Sequence, residues 1–243
     1  MHTVDAKEID IFAKDSGQWW DIHGPFAPLH RLNPVRLSYL KDQICNHYGR
    51  DVKDLKALQG LSLLDIGCGG GLICEPMSRM GANVTGIDAD ANAISVATSH
   101  AKSGALSIDY RATSTDVLIK TKDRFDIILA LEIVEHVADV DKFVGHCVDL
   151  CKPGGIIIFS TLNRTPKSFL LGKIAAEYIL RWVPAGTHDW KKFIKPSELA
   201  RAIRQAGGTP INTNGMVFDP KKRSFTLSAN DLSVNYFMTS VKD

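Results

Sequence analysis

The chain has 243 residues, 44% of them hydrophobic, and a formal net charge of +2. That size suits one α/β domain with additions spanning 1–243, and the near-neutral charge gives no reason to expect nucleic acid as a partner. Five cysteines without a CxxC pair (Cys45, Cys68, Cys74, Cys147, Cys151) read as free thiols in a reducing compartment. No run of 18 apolar residues can span a membrane, and the acidic start MHTVDAKEIDIFAK is neither a signal nor a transit peptide. The expected location is therefore cytoplasmic.

Residues 1–50 read as an N-terminal helical cap. They hold a polar and aromatic stretch with Trp19-Trp20, then a helix starting at Asn33-Pro34 with Asn as N-cap. Val35, Leu37, Leu40, Ile44 and Tyr48 give that helix an apolar face, and Gly49 can end it. From Leu61 strands and helices alternate. Strands are expected at 61–66, 83–88, 107–112, 125–131 and 156–161. Helices are expected up to about Met80, over 91–101, over 139–151 and over 196–206. The helix after the first strand must keep Pro76 in its first turn. Lys152-Pro153-Gly154-Gly155 breaks the helix before the fifth strand. Two last strands are expected near 209–217 and 232–241, the second alternating as if one side were solvated. Apolar strands between helices indicate a parallel sheet covered on both faces.

LSLLDIGCGGGL (61–72) is a strand running into a glycine turn, an arrangement that lets a nucleotide press on bare backbone. A dinucleotide fingerprint counted from Gly67 would need Gly or Ala where Leu72 stands, which argues against an NAD-dependent oxidoreductase. The string fits DxGxGxG instead, with Asp65 at the strand tip and Gly67, Gly69 and Gly71 following. That pattern resembles the first motif of class I S-adenosylmethionine-dependent methyltransferases, where an acid beside the turn suits the ammonium of the cofactor. Asp88 ends the second strand and can accept ribose hydroxyls.

Five strings narrow the match: LNPVRLSYL, LLDIGCGGGL, ALEIVEHV, FSTLNRTPKSFLLGKIAAEYILRWVPAGTHDWKKFIKP and VNYF. Together they resemble the ubiquinone-biosynthesis O-methyltransferases from about Trp19 to Phe237, departing only in small ways at Pro76 and Leu131. The resemblance implies a seven-stranded, mostly parallel Rossmann-like methyltransferase sheet with an antiparallel last strand, helices on both faces and a helical insertion before strand six. It implies methyl transfer from S-adenosylmethionine to a hydroxyl of a polyprenylated phenol or catechol at two pathway steps. Another small phenolic acceptor is the alternative. It also implies that Arg36, Gly67, Asp88 and Leu131 line the cofactor site. A guanidinium at Arg36 can grip the methionine carboxylate in bidentate fashion.

After the fourth strand, Glu132, Glu135 and His136 lie where α/β sheets bind ligands. If 132–136 is one helical turn, the three could hold Mg²⁺, which prefers oxygen ligands and could bind a catecholate. Without metal, His136 could act as general base with Glu135 or Glu132 orienting it, and His188 is a second base candidate. The insertion 163–195 places Phe169, Leu170, Leu171, Ile174, Tyr178, Ile179 and Trp182 on one face, beside Lys167, Lys173 and Arg181, with Lys191, Lys192 and Lys195 after them. It suits a lid, an interfacial helix on an anionic membrane, or both. Attachment to the inner face of the cytoplasmic membrane and to other enzymes of the pathway follows as an expectation.

Overall fold

The computed structural model describes residues 3–4, 15–170, 190–219 and 224–243. Its strands are β1 (Ser62–Ile66), β2 (Asn83–Asp88), β3 (Asp109–Ala112), β4 (Phe125–Leu131), β5 (Cys151–Leu162), β6 (Gly208–Asp219), β7 (Ser224–Ser228) and β8 (Asn235–Lys242). Among the described residues the α-helices of four or more residues are α1 (Ala27–Tyr48), α2 (Cys74–Arg79), α3 (Ala91–Ser103), α4 (Thr115–Leu118), α5 (Val140–Leu150) and α6 (Pro196–Gln205). One sheet runs in the order β3-β2-β1-β4-β5-β8-β6-β7, and the pairs from β3 through β5 are parallel. β8 then pairs antiparallel with both β5 and β6.

β4 shows why the sheet is covered twice. Ile128 and Ala130 enter one core with Phe143, Val144 and Leu199, while Ile127, Leu129 and Leu131 enter the other with Leu40, Ile44 and Met77. Alternate residues of a strand face opposite sides, so FDIILAL feeds both cores without interruption. All five cysteines are free and buried.

Several sequence expectations need correction. The sheet has eight strands, because Ser224–Ser228 adds an edge hairpin to β6, with Phe218 and Phe225 rings 5.1 Å apart. β8 has no solvated side, since it lies between β5 and β6 and is buried from Asn235 to Ser240. Its polar members are satisfied inside: Tyr39 Oη lies 2.8 Å from Thr239 Oγ1, and Ser240 Oγ donates to the Ile157 carbonyl. The helix expected to start at Asn33 begins at Ala27, with Pro28 in its first turn and Pro34 inside it. Asn33 does not cap. Its Nδ2 donates to the Leu72 carbonyl at 2.9 Å and ties α1 to the glycine turn. Gly49 ends α1 as expected, at φ 63°. KPGG does not precede the fifth strand but is absorbed into it as a register shift between Phe125 and Ile127 of the partner strand. Cys147 and Cys151 therefore sit on a helix and a strand rather than on one helical turn.

Candidate active site

The carboxyl ends of β1, β2 and β4 meet at the glycine turn. Gly67, Gly69 and Gly71 all have positive φ (73°, 50° and 89°). The turn is pinned to β2 by the Gly67 and Cys68 amides, which donate to the Ile87 carbonyl at 2.8 and 3.0 Å. A Cβ on Gly67 would overlap Ile133, and one on Gly69 or Gly70 would overlap the Trp19 side chain. The turn thus needs glycine both for its backbone and for the groups laid against it. Asp88 accepts from the Gly69 amide and from the Asp90 amide, each at 2.9 Å. Burial raises its pKa, against those two bonds.

Arg36 and Asp65 occupy the floor between α1 and β1. Arg36 is 4% exposed, and its Nε and Nη2 are buried without a hydrogen-bond partner. Burial lowers its pKa, opposed by Glu132, Asp65 and Glu135 around it. Asp65 is buried, accepts from Cys74 Sγ at 3.2 Å, and is pushed up to about 7 by burial. A buried cation with two idle donors, beside a buried acid, is complementary to a zwitterionic amino-acid group. Leu131 ends β4 beside Ser160 and is buried in the α1-side core.

The segment after β4 differs from expectation. Glu132 is at φ 55°, a left-handed backbone rare for a non-glycine residue and often found at functional sites. A 3-10 turn covers only Val134–His136, so Glu132 does not share a helical face with Glu135 and His136. Both Glu132 oxygens are engaged: Oε1 accepts from Ser160 Oγ at 2.6 Å and Oε2 from Asn235 Nδ2 at 2.8 Å. Glu135 is 3% exposed and accepts from Thr161 Oγ1 at 2.7 Å, while its Oε1 is buried and unpartnered. Burial raises Glu135 to about 7. Among the described residues no three His, Cys, Asp or Glu side chains are grouped to hold a metal ion. The cation site expected of Glu132, Glu135 and His136 is therefore not assembled here, because the left-handed residue turns Glu132 toward Ser160 and Asn235.

Ser160, Thr161 and Asn235 were not singled out from sequence as site residues. The available signal was polar residues closing the apolar run IIIFSTL and opening VNYF. Nothing in the sequence tells where Trp19 and Trp20 sit. Trp20 Nε1 donates to the Gly70 carbonyl at 2.9 Å, and its ring stacks on His100 with centroids 3.5 Å apart. His100 Nδ1 in turn lies 2.6 Å from Glu75, a carboxylate only 1% exposed. The segment before α1 is thereby fastened onto the glycine turn.

The ends of the insertion lie close together. Trp190 Nε1 donates to the Thr165 carbonyl at 3.0 Å, and Lys167 pairs with Asp231 at 2.8 Å. Phe169 and Leu170 are exposed. His188 and the apolar face from Leu171 to Trp182 lie outside the described residues. Among the described residues no helix is long and apolar enough to cross a membrane.

Residues 38–211 match a methyltransferase-domain family, the class that this sheet order and glycine turn define. The structure is similar to the magnesium protoporphyrin IX methyltransferase of Synechocystis PCC 6803, solved with bound S-adenosylmethionine (TM-score 0.63, 14% identity, all of both chains covered). It also resembles an S-adenosylmethionine-dependent methyltransferase of Clostridium acetobutylicum (TM-score 0.61, 12% identity, 84% of this chain and 90% of that one). The ubiquinone biosynthesis O-methyltransferase of Dinoroseobacter shibae is 50% identical over 240 residues, 99% of this chain and 97% of its own. That of Nitrobacter winogradskyi is 50% identical over 238 residues, 98% and 90%. The chain belongs to the ubiquinone biosynthesis O-methyltransferase family.

Proposed function

We propose that this protein transfers a methyl group from S-adenosylmethionine to a hydroxyl of polyprenylated phenol or catechol intermediates, at both O-methylation steps of ubiquinone biosynthesis. The observation that carries the donor half is Arg36, with two idle donors buried beside Asp65 and next to the glycine turn. In this reading Arg36 takes the donor carboxylate and Asp65 its ammonium. Gly67 and Gly69 offer the donor bare backbone once Ile133 and Trp19, which lie against them, draw back; Asp88 accepts ribose hydroxyls, and Leu131 packs beneath. The acceptor half rests on the relatives' names and on the acids beyond β4.

The reaction is an in-line displacement. The sulfonium S–CH₃ bond breaks, its electron pair stays on sulfur, and an O–CH₃ bond forms while the hydroxyl proton leaves. His136 takes that proton and Glu135, whose charge lies beside it, steadies the imidazolium. Holding oxygen, carbon and sulfur in line is the larger part of the task. The two carboxylates suit Mg²⁺ but the imidazole does not, and Glu132 would have to release Ser160 and Asn235 to join such a site. No step is routed through the ion.

The same reading treats 1–243 as one domain, with 1–50 as its cap and 163–195 facing the acceptor and an anionic membrane surface. That surface is the inner face of the cytoplasmic membrane, where contact with other enzymes of the pathway would occur. Methyl transfer from S-adenosylmethionine to a short-chain prenyl catechol tests the function. Failure to methylate any phenol by protein that binds the donor would overturn it. Turnover lost in chelator and restored by Mg²⁺ would bring the cation in.

A further inference from the structure

We propose that Asn235 selects acceptors that carry two neighbouring hydroxyls, its side-chain oxygen holding the hydroxyl beside the one that is methylated. The inference rests on the methyl-transfer reading above and deepens it.

Asn235 opens β8, paired with Leu162 on one side and Met216 on the other. Its Nδ2 donates to Glu132 Oε2 at 2.8 Å. A carboxylate can accept only from the amide nitrogen, so this bond decides which way the amide faces. Glu132 is itself immobilised by Ser160 Oγ and by its left-handed backbone. Oδ1 is consequently turned away from Glu132, and it is buried with no partner.

Four of the buried unpartnered atoms among the described residues belong to residues that interact with Glu132, and they sort by chemistry. Arg36 Nε and Nη2 are donors, while Glu135 Oε1 and Asn235 Oδ1 are acceptors. The donors match a carboxylate, which the methyl donor brings. Asn235 Oδ1 matches a hydroxyl that keeps its proton, since the reacting proton goes to His136. A monophenol leaves Oδ1 unmet, whereas the second hydroxyl of a catechol satisfies it. A buried acceptor left unmet is the basis on which polar sites reject analogues lacking a hydroxyl. The division of labour follows from protonation chemistry. Glu135 stands beside His136, where the reacting proton leaves. Asn235 is an amide that takes no proton, which suits the hydroxyl that stays.

The test compares a short-chain prenyl catechol with the matched monophenol lacking the second hydroxyl, in wild type, Asn235→Ala and Asn235→Leu. Wild type is expected to prefer the catechol at least tenfold in kcat/KM. Asn235→Ala should raise KM for the catechol about tenfold and bring the preference to within about threefold of parity. Affinity for S-adenosylhomocysteine, read by calorimetry, should stay within about twofold of wild type and reports an intact fold. If Asn235→Ala loses that affinity, Asn235→Leu carries the test at nearly constant shape. It offers the second hydroxyl no acceptor and should also lose the preference. No preference in wild type, or a folded variant that keeps the wild-type preference, overturns the role of Asn235 alone. A wild-type protein that binds donor but methylates neither phenol overturns both readings.

Discussion

Arg36 Nη2 stands 3.8 Å from Glu132 Oε1, an ion pair too long to be a hydrogen bond. Glu132 is instead bonded by Ser160 and Asn235, so the guanidinium sits in a negative neighbourhood with donors to spare. If those donors take the carboxylate of the methyl donor, Arg36→Ala should weaken S-adenosylhomocysteine binding by about ten- to a hundredfold, the value of a charged hydrogen bond. Arg36→Lys should recover little, because an ammonium cannot reproduce the fork. Calorimetric affinities equal to wild type in Arg36→Ala would remove Arg36 from the donor site.

Asp65 gives a pH prediction with a definite sign. Its pKa is raised from 3.8 to about 7 by burial, so the folded protein holds a proton that the unfolded chain has released. Through this group, ligand-free stability is greatest below about pH 4 and declines as pH rises toward 7. The ammonium of the donor needs the ionised form, so donor affinity should move the other way. It should strengthen about tenfold from pH 6 to pH 8 and then level. Asp65→Asn should bind more weakly and lose most of that dependence, and affinity titrations across the range decide it.

The strands were readable from sequence because a parallel sheet buried on both faces makes near-continuous apolar runs, as FDIILAL does. The glycine turn was readable because three glycines at alternate positions have few other uses. The failures share a cause, which is tertiary satisfaction of polar groups. Pro34 looks like a helix start until Asn33 is seen bonding Leu72 instead of capping. Thr239 looks solvent-facing until the Tyr39 hydroxyl meets it inside. The E-x-x-E-H spacing suggested one helical face, but nothing local announces that Glu132 is left-handed. The partners it is turned toward, Ser160 and Asn235, are distant in sequence.

Glu135 should separate stability from catalysis. Burial raises its pKa to about 7, so at pH 8 the fold carries an ionised carboxylate whose bond from Thr161 and neighbouring His136 do not offset its burial. Glu135→Gln keeps the shape and an oxygen for Thr161 while removing the charge. The variant should be more stable at pH 8 by about 1–3 kcal/mol, on the scale of 1.4 kcal/mol per pKa unit. The gain should vanish toward pH 4, where wild type is protonated too. Turnover should fall about a hundredfold if Glu135 steadies His136. Denaturant melts at the two pH values together with kcat measure both, and a variant that is less stable yet fully active would contradict each part.

Membrane attachment is testable at the ends of the insertion. Phe169 is 41% and Leu170 57% exposed at one end of the insertion, and Lys191 and Lys192 stand at the other. Apolar residues beside lysines suit the boundary of an anionic bilayer, where each basic residue contributes about 1 kcal/mol near the surface. Vesicles containing anionic lipid should bind the protein more tightly than neutral ones, and added salt should weaken that binding. Lys191→Glu with Lys192→Glu should reduce binding at least tenfold, while activity on a short-chain, water-soluble acceptor stays near wild type. Co-sedimentation reads the first and a methyl-transfer assay the second. Equal binding to neutral vesicles would leave the apolar residues as the attachment and dismiss the electrostatic part.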